Sequence, residues 1–171
     1  FFATEHGPYG GDELNLILKD KNYGWPITSD GLESRDTYEE IYGNLGRHSS
    51  EFEKPIYSWT PGIGISDLLR VKTFDKTWNN DLLVSSLKNK SLYRIRLDFL
   101  NDNFAVKYIE DIWIGHRIRH VKERVDKKII LFTDDGFLIE ISKINKGDDK
   151  WVDTRNNPCL SCHHLGITNQ T

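Results

Sequence analysis

Residues 129–141 read IILFTDDGFLIEI, two short apolar runs separated by the turn Asp134-Asp135-Gly136. Apolar runs bounded by Asp, Asn and Gly are typical of a β-hairpin, because these turn residues tolerate the backbone angles of a tight reversal. Two further stretches have the same form, 82–97 with a turn at 87–90 and 1–18 with a turn at 7–11. The pattern predicts an all-β protein built from hairpins.

The hairpins recur along the chain at regular distances. The second strands contain Leu14, Leu92 and Leu138, which are separated by one or two units of about 40 to 50 residues,. Such a repeat is typical of the four-stranded blades of a β-propeller, although an ordinary antiparallel meander with similar hairpins fits the spacing as well. The clearest helical signal is a short turn at 36–42, which Gly43 ends,.

Charge and hydrophobicity exclude two classes of partner. The 171 residues contain 23 Lys and Arg against 26 Asp and Glu, a formal net charge of −3, whereas a nucleic-acid-binding domain would show a basic excess,. The apolar runs are only a few residues long, far short of the ~20 residues with which a helix crosses a bilayer. Because the chain has no Met, even at position 1, we expect it to begin at an internal residue of a longer protein.

The C-terminal end carries the motif Cys159-Leu160-Ser161-Cys162-His163. CxxCH is the attachment sequence of c-type haem: the two thiols, Cys159 and Cys162, bond to the haem, and His163 binds the iron. A zinc site would need a fourth ligand, and a thioredoxin-like pair would follow a strand rather than a polar segment, while an unligated or disulfide-bonded pair stays open. The preceding polar residues, 146–158, predict a linker, and 159–171 then begin a c-type cytochrome domain.

A glycine-rich turn lies at the tip of the first hairpin, within EHGPYGGDELN at 5–15. Successive carbonyl oxygens such as those of Gly7 and Pro8 suit a hard cation like Ca²⁺. The carboxylate of Glu13 and the backbone of Tyr23 could form a second oxygen site. A glycine-rich turn with solvated acidic residues is the alternative interpretation of the same string.

At this point the chain resembles a known family, the soluble glucose/aldose sugar dehydrogenases, which are six-bladed β-propellers that use pyrroloquinoline quinone (PQQ). The matching segments are residues 5–15, 22–26, 59–66, 86–88, 115–119 and 133–136. They occur in order and cover nearly all of 1–143. The resemblance implies that residues 1–145 form about the last three of six blades. It also implies that Gly7 and Pro8 hold the Ca²⁺ that sits on PQQ, and that Glu13 and Tyr23 bind a second, structural Ca²⁺.

The resemblance further implies that Lys88, Arg117 and Arg119 surround the PQQ. PQQ is a planar tricarboxylate, and side chains two residues apart on a strand project from one face, so the two guanidinium groups could make fork-like contacts with its carboxylates. Without the resemblance, the arginines would be interpreted as a solvated strand face and Lys88 as an ordinary turn residue.

Some positions depart from the family pattern. Gly62 stands where the family has a small polar residue whose hydroxyl contacts the cofactor, and His120 stands where an acidic residue commonly follows the second Arg. The family's general-base His belongs to the amino-terminal blades. None of His6, His48 and His116, nor His120, occupies that motif, so no catalytic residue is expected within these 171 residues.

The function implied by the resemblance is PQQ- and Ca²⁺-dependent oxidation of an aldose at C1 to the lactone. Electrons would pass from reduced PQQ to the fused haem c and then to a downstream acceptor, a cytochrome or the respiratory chain. Because haem is attached to thiols outside the cytoplasm, we expect a bacterial periplasmic protein. The alternatives are a non-enzymatic, Ca²⁺-binding propeller that serves as an interaction module, and an electron-transfer cytochrome with a β appendage.

Overall fold

A computed structural model of the chain describes residues 1–8, 10–25, 28–29 and 51–143, together with the backbone of 165–170. Apart from one turn of 3-10 helix at Lys76–Trp78, the regular elements of this part are strands, which confirms the all-β prediction. The strands are β1 (Phe2–Glu5), β2 (Asp12–Leu16), β3 (Tyr57–Trp59), β4 (Ile65–Arg70), β5 (Leu82–Ser86), β6 (Ser91–Leu100), β7 (Asn103–Trp113), β8 (Ile118–Glu123), β9 (Ile129–Thr133), β10 (Leu138–Lys143) and β11 (Leu165–Gln170).

The strands form three sheets, with the orders β1-β2-β3, β4-β5-β6-β7 and β8-β9-β10-β11. All three predicted hairpins are confirmed: β1 pairs antiparallel with β2, β5 with β6, and β9 with β10. Four neighbouring strands in chain order are typical of a propeller blade, and the count of six blades stays a prediction. No helix among the described residues is long and apolar enough to cross a membrane.

Several predictions concern the chain after β10. Residues 165–170, which the sequence assigned to the start of a cytochrome domain, form β11 and pair antiparallel with β10. The linker at 146–158 and the haem-attachment residues Cys159, Cys162 and His163 lie outside the described residues, as does the short helix predicted at 36–42. The division into propeller, linker and cytochrome segment therefore stays a prediction.

The chain divides into two compact units, residues 1–66 with 97–107 and residues 67–96 with 108–171. The second unit has an apolar core. Every second residue of a strand points to the same face of the sheet, so apolar residues at alternate positions gather on one face. Twelve buried side chains form the core: Val71, Phe74, Trp78, Leu83, Leu92, Ile112, Ile118, Val121, Ile129, Leu131, Ile139 and Ile141. In the first unit, by contrast, β2 buries the polar residues Asp12, Glu13 and Asn15, and burial of polar groups on a strand marks a place where they have partners or a function,.

Candidate functional site

One pocket in the first unit collects the residues that the sequence predicted as metal ligands. Gly7, Pro8, Glu13 and Tyr23 all line it. The remaining lining residues are Glu5, His6, Gly11, Trp25, Thr28 and Ser29. The two predicted oxygen sites thus share a single pocket. No group of three or more His, Cys, Asp or Glu side chains in the described part of the chain could hold a metal ion.

The turn that presents Gly7 is closed by a buried carboxylate. The Gly7 N–H donates to Asp12 Oδ1 at 2.9 Å, and Asp12 Oδ2 accepts from the N–H of Ile65 at 3.0 Å. A side chain at position 7 would collide with the carbonyl oxygens of Gly10 and Gly11, so only glycine fits there. The ring Nδ1 of His6 lies 3.0 Å from the carbonyl oxygen of Gly7.

The same packing explains one departure from the family pattern. A Cβ at Gly62 would lie 2.8 Å from Gly10 Cα and 3.1 Å from Asp12 Oδ1. Real Cβ atoms essentially never come that close to a backbone atom, and the backbone of Gly10 cannot swing aside as a flexible side chain would. A side chain at position 62 would therefore force this segment or the glycine-rich turn to shift.

Glu5 is a pocket residue that the sequence analysis missed. It lies directly opposite Glu13 across the β1–β2 ladder, and the Asn15 amide donates to both carboxylates, at 3.4 Å to Glu5 and 3.2 Å to Glu13. Like charges directly opposite each other on neighbouring strands destabilise a sheet. The Oδ1 atom of Asn15 is buried and has no hydrogen-bond partner in the structure. The register of the predicted hairpin was the signal that could have identified Glu5.

Tyr23 is held in place through its side chain. Its hydroxyl donates to the carbonyl oxygen of Leu16 at 2.5 Å and accepts from the N–H of Leu18 at 2.8 Å. The next turn is closed by Asn22 Oδ1, which accepts from the N–H of Gly24 at 2.9 Å. These contacts tie the loop after β2, and with it the pocket residue Tyr23, back to the end of that strand.

Arg117 and Arg119, in the second unit, converge on one carboxylate. Arg119 donates to Asp134 from Nε at 2.7 Å and from Nη2 at 2.9 Å, and Arg117 donates from Nε at 3.0 Å. Hydrogen bonds from Arg119 and then from Arg117 hold the pKa of Asp134 below its usual value. Lys88 lies exposed in the turn between β5 and β6. The two arginines therefore come together on Asp134, although Arg117 precedes β8 and the β8–β9 ladder is irregular between Ile118 and His120.

Two histidines near the arginines also contact acidic side chains. His116 Nδ1 lies 2.7 Å from Asp135 Oδ2, and His120 Nδ1 lies 2.5 Å from Asp67 Oδ2. Asp67 Oδ2 additionally accepts from the N–H of Val121 at 2.9 Å. Where the family has an acidic residue after the second Arg, this chain therefore has a histidine that is itself paired with an acid.

Comparison with known proteins gives a consistent result. The family model described as glucose/sorbosone dehydrogenase matches residues 1–140. The aldose sugar dehydrogenase YliI of Escherichia coli is 31% identical over 153 residues, covering 84% of this chain and 38% of that protein. The uncharacterized protein slr1608 of Synechocystis is 35% identical over 135 residues, covering 78% of this chain and 31% of that protein. The chain thus spans about a third of the length of these curated relatives.

Solved structures show the same likeness. A glucose dehydrogenase crystal structure superposes with a TM-score of 0.67 at 32% identity, over 78% of this chain and 38% of that chain. The soluble aldose sugar dehydrogenase of E. coli in its apo-form superposes with a TM-score of 0.63 at 29% identity, with the same two coverages of 78% and 38%.

Proposed function

Because this chain belongs to the glucose/sorbosone dehydrogenase family, we propose that it forms part of a PQQ- and Ca²⁺-dependent enzyme that oxidises an aldose at C1 to the lactone. The observation that carries the proposal is the pocket in the first unit, where Gly7, Pro8, Glu13 and Tyr23 come together. When bound, PQQ would accept the hydride of the sugar, and Ca²⁺ beside it would polarise the quinone.

The pocket fits a calcium ion in its donor chemistry. Ca²⁺ takes about six to eight oxygen ligands, including backbone carbonyls and carboxylates. The backbone oxygens of Gly7 and Pro8 would hold one ion, and the Glu13 carboxylate with the Tyr23 carbonyl would hold a second. A cation would also relieve the repulsion between Glu13 and the facing carboxylate of Glu5,.

The arginine pair fits a ligand that carries carboxylates. Arg119 holds Asp134 through Nε and Nη2, whereas Arg117 reaches it through Nε alone, and within the described residues no hydrogen bond engages the Nη groups of Arg117. Guanidinium edges of this kind bind carboxylates through paired, charge-assisted hydrogen bonds. These residues would bind and orient the PQQ, with Lys88 adding a point charge.

Electron transfer beyond PQQ is proposed from the C-terminal motif. Two thiols and an adjacent histidine, at Cys159, Cys162 and His163, are the donor set of a c-type haem, which would take electrons one at a time from the reduced quinone,. Covalent haem attachment supports a periplasmic location in a bacterium. A downstream cytochrome or respiratory chain would then receive the electrons.

The proposal is tested on the full-length protein, loaded with PQQ and excess Ca²⁺. We expect sugar-dependent reduction of a dye and, in the same sample, reduction of the haem absorbance band when an aldose is added. A matched sample with the Ca²⁺ chelated controls for metal-independent activity. If calorimetry detects no PQQ uptake in excess Ca²⁺, the proposal is wrong.

A second candidate function, a non-enzymatic Ca²⁺-binding interaction module, is favoured by one observation. Gly62 lacks the hydroxyl that contacts the cofactor in the family, and the packing against Gly10 leaves no room for one. This candidate predicts that the protein binds Ca²⁺ but neither takes up PQQ nor oxidises sugar. The titration with PQQ therefore separates the two functions.

A further inference from the structure

Asp12 is a buried carboxylate with an unusual set of partners. Its side chain is 1% exposed at the start of β2, and each of its two oxygens accepts one backbone N–H. One donor, Gly7, belongs to the glycine-rich turn, and the other, Ile65, is the first residue of β4, 53 positions further along the chain. A buried charge is tolerated only where it is hydrogen-bonded, so Asp12 and its two donors hold each other in place.

We propose that Asp12 is the positioning residue of the calcium-binding turn. By anchoring the N–H of Gly7, it holds the turn so that the backbone oxygens of Gly7 and Pro8 stay beside the pocket before any cation arrives. The negative charge of Asp12 also lies next to these two backbone oxygens, which carry no formal charge themselves, and it favours a cation beside them. The inference rests on the proposed function, because it assigns a role to Asp12 only if this pocket binds Ca²⁺.

The packing around Asp12 leaves no simple substitute for its carboxylate. Gly7 lies against the carbonyl oxygens of Gly10 and Gly11, and Gly62 lies against Gly10 and against Asp12 Oδ1. The segments in contact are glycine backbone, which cannot readily shift without breaking the turn. An amide at position 12 offers one acceptor oxygen instead of two, so either the bond to the turn or the bond to β4 is lost.

His6 is the other group that faces this carboxylate. Its Nδ1 lies 3.6 Å from Asp12 Oδ1 and 3.0 Å from the carbonyl oxygen of Gly7, but its side chain is 63% exposed. A histidine in that position is free to swing into solvent. The buried carboxylate, rather than His6, therefore determines the conformation of the turn.

The test compares Asp12→Asn with the parent in the full-length protein, using Ca²⁺ in calorimetry and Tb³⁺ as a luminescent probe. Trp25 lines the same pocket and can sensitise bound Tb³⁺. Because Asp12 supports ligands without touching the ion, we expect Asp12→Asn to weaken metal binding by about 10- to 100-fold. This affinity is measured at a temperature where both proteins are folded, so that a loss of thermal stability alone does not move it.

A matched control is available in the second unit. Glu123 also accepts backbone N–H groups, those of Lys72, Thr73 and Phe74, and shares no partner with the pocket. We expect Glu123→Gln to lower the melting temperature while changing the metal affinity by less than about twofold. The two variants together separate positioning of the metal ligands from a general loss of stability.

The possible outcomes distinguish this inference from the proposed function. If the parent shows no saturable binding of Ca²⁺ or Tb³⁺, the calcium part of the proposed function is wrong and the role of Asp12 falls with it. If the parent binds and Asp12→Asn binds equally well, only the inference about Asp12 is wrong.

A measurement on the parent covers the case in which Asp12→Asn does not fold. Hydrogen exchange of residues 6–12 in the metal-free protein should show a slowly exchanging Gly7 amide, because its N–H is already bonded to a buried carboxylate. Rapid exchange of this amide without metal would overturn the inference.

Discussion

Two Arg-x-Arg pairs in the second compact unit each share one aspartate, but they differ in burial. In the first pair, called the buried pair after its aspartate, residues 94–96 on β6 share Asp81; the side chains of Arg94 and Asp81 are 7% and 2% exposed, and that of Arg96 is 33% exposed. In the exposed pair, residues 117–119 share Asp134, and the two arginine side chains are 50% and 58% exposed. The same local pattern therefore occurs once around a buried aspartate and once at the surface.

In the buried pair, every nitrogen of the first arginine donates a hydrogen bond within the protein. Arg94 donates from Nε to Asp81 at 2.6 Å, from Nη1 to Glu110 at 3.1 Å and from Nη2 to the carbonyl oxygen of Thr77 at 3.0 Å. The guanidinium also lies 4.5 Å from the ring centroid of Trp78. All three nitrogens of this guanidinium are thus bound to groups of the protein, and its side chain is only 7% exposed. The comparison teaches that the Arg-x-Arg motif alone does not assign a role: burial and the partners of each guanidinium distinguish a pair held inside the protein from one that solvent can reach.

The largest effect is expected for Asp81→Asn. Removing one partner of a buried charge network leaves the others uncompensated, so we expect the free energy of unfolding to fall by about 3–5 kcal/mol. Denaturant-induced unfolding followed by circular dichroism measures it. A loss below about 1 kcal/mol, the range of exposed ion pairs, would remove the distinction between the two pairs.

The second largest effect is expected on PQQ affinity when both arginines of the exposed pair are replaced. The double substitution Arg117→Gln, Arg119→Gln removes several charge-assisted hydrogen bonds, each worth about 1.5–3 kcal/mol, so we expect PQQ affinity to fall by about 100-fold or more. The midpoint of unfolding should stay where it is in the parent. Calorimetric titration of PQQ at saturating Ca²⁺ measures the affinity.

Lys88→Gln is the comparison variant for that titration. It removes a single point charge without a fork-like contact, and we expect a smaller loss of affinity. If the double substitution unfolds the protein as Asp81→Asn does, or leaves PQQ affinity unchanged, the assignment of the exposed pair to ligand binding is wrong.

The hairpins could be predicted from sequence because their information is local. In residues 129–141, the two apolar runs and the Asp-Asp-Gly turn lie within one short segment, and β9 and β10 form there as predicted. The partners of the arginines could not be predicted in this way. Arg94 and Asp81 are 13 residues apart, and Arg117 and Asp134 are 17 apart, so each contact depends on strand register and on burial.

The candidate site shows the same limit. The strings at 5–15 and 22–26 pointed to Gly7, Pro8, Glu13 and Tyr23 through their resemblance to a family, and the pocket contains them all. The support for that turn comes from Asp12, which reaches a backbone N–H 53 residues away. No local sequence pattern predicts this contact between Asp12 and Ile65, because it forms only once the strands have paired and Ile65 lies next to the turn.

Glu123 is a third carboxylate of the second unit, and the stability it provides is expected to lie between the effects of Asp81 and Asp134 and to depend on pH. Burial raises the pKa of Glu123, but the backbone N–H groups of Thr73, Lys72 and Phe74 outweigh it and hold the pKa below the usual 4.5. A lowered pKa in the folded state means that the stabilisation is fully present above pH 4.5 and is lost as the pH falls through the folded-state value. We expect Glu123→Gln to cost about 1–2 kcal/mol at pH 7 and progressively less below pH 4.5.

Unfolding of the parent and Glu123→Gln at pH 7, 5 and 3.5 measures that difference. Because Glu123 accepts neutral donors, its contribution should depend little on salt, unlike that of the arginine pairs. A difference between the two proteins that stays constant down to pH 3.5 would show that the charge of Glu123 is not what stabilises the segment at 72–74.

The smallest effect on stability is expected for Asp134→Asn, the counterpart of Asp81→Asn in the exposed pair. Solvent screens this carboxylate and its arginines, so the midpoint of unfolding should not change measurably. The contact should instead be visible in titration: Arg119, and then Arg117, lower the pKa of Asp134, and the double substitution of both arginines should raise it toward 3.8. Carboxyl chemical shifts followed against pH measure this. If Asp134→Asn unfolds the protein as readily as Asp81→Asn, exposure does not decide which arginine pair remains available for a ligand.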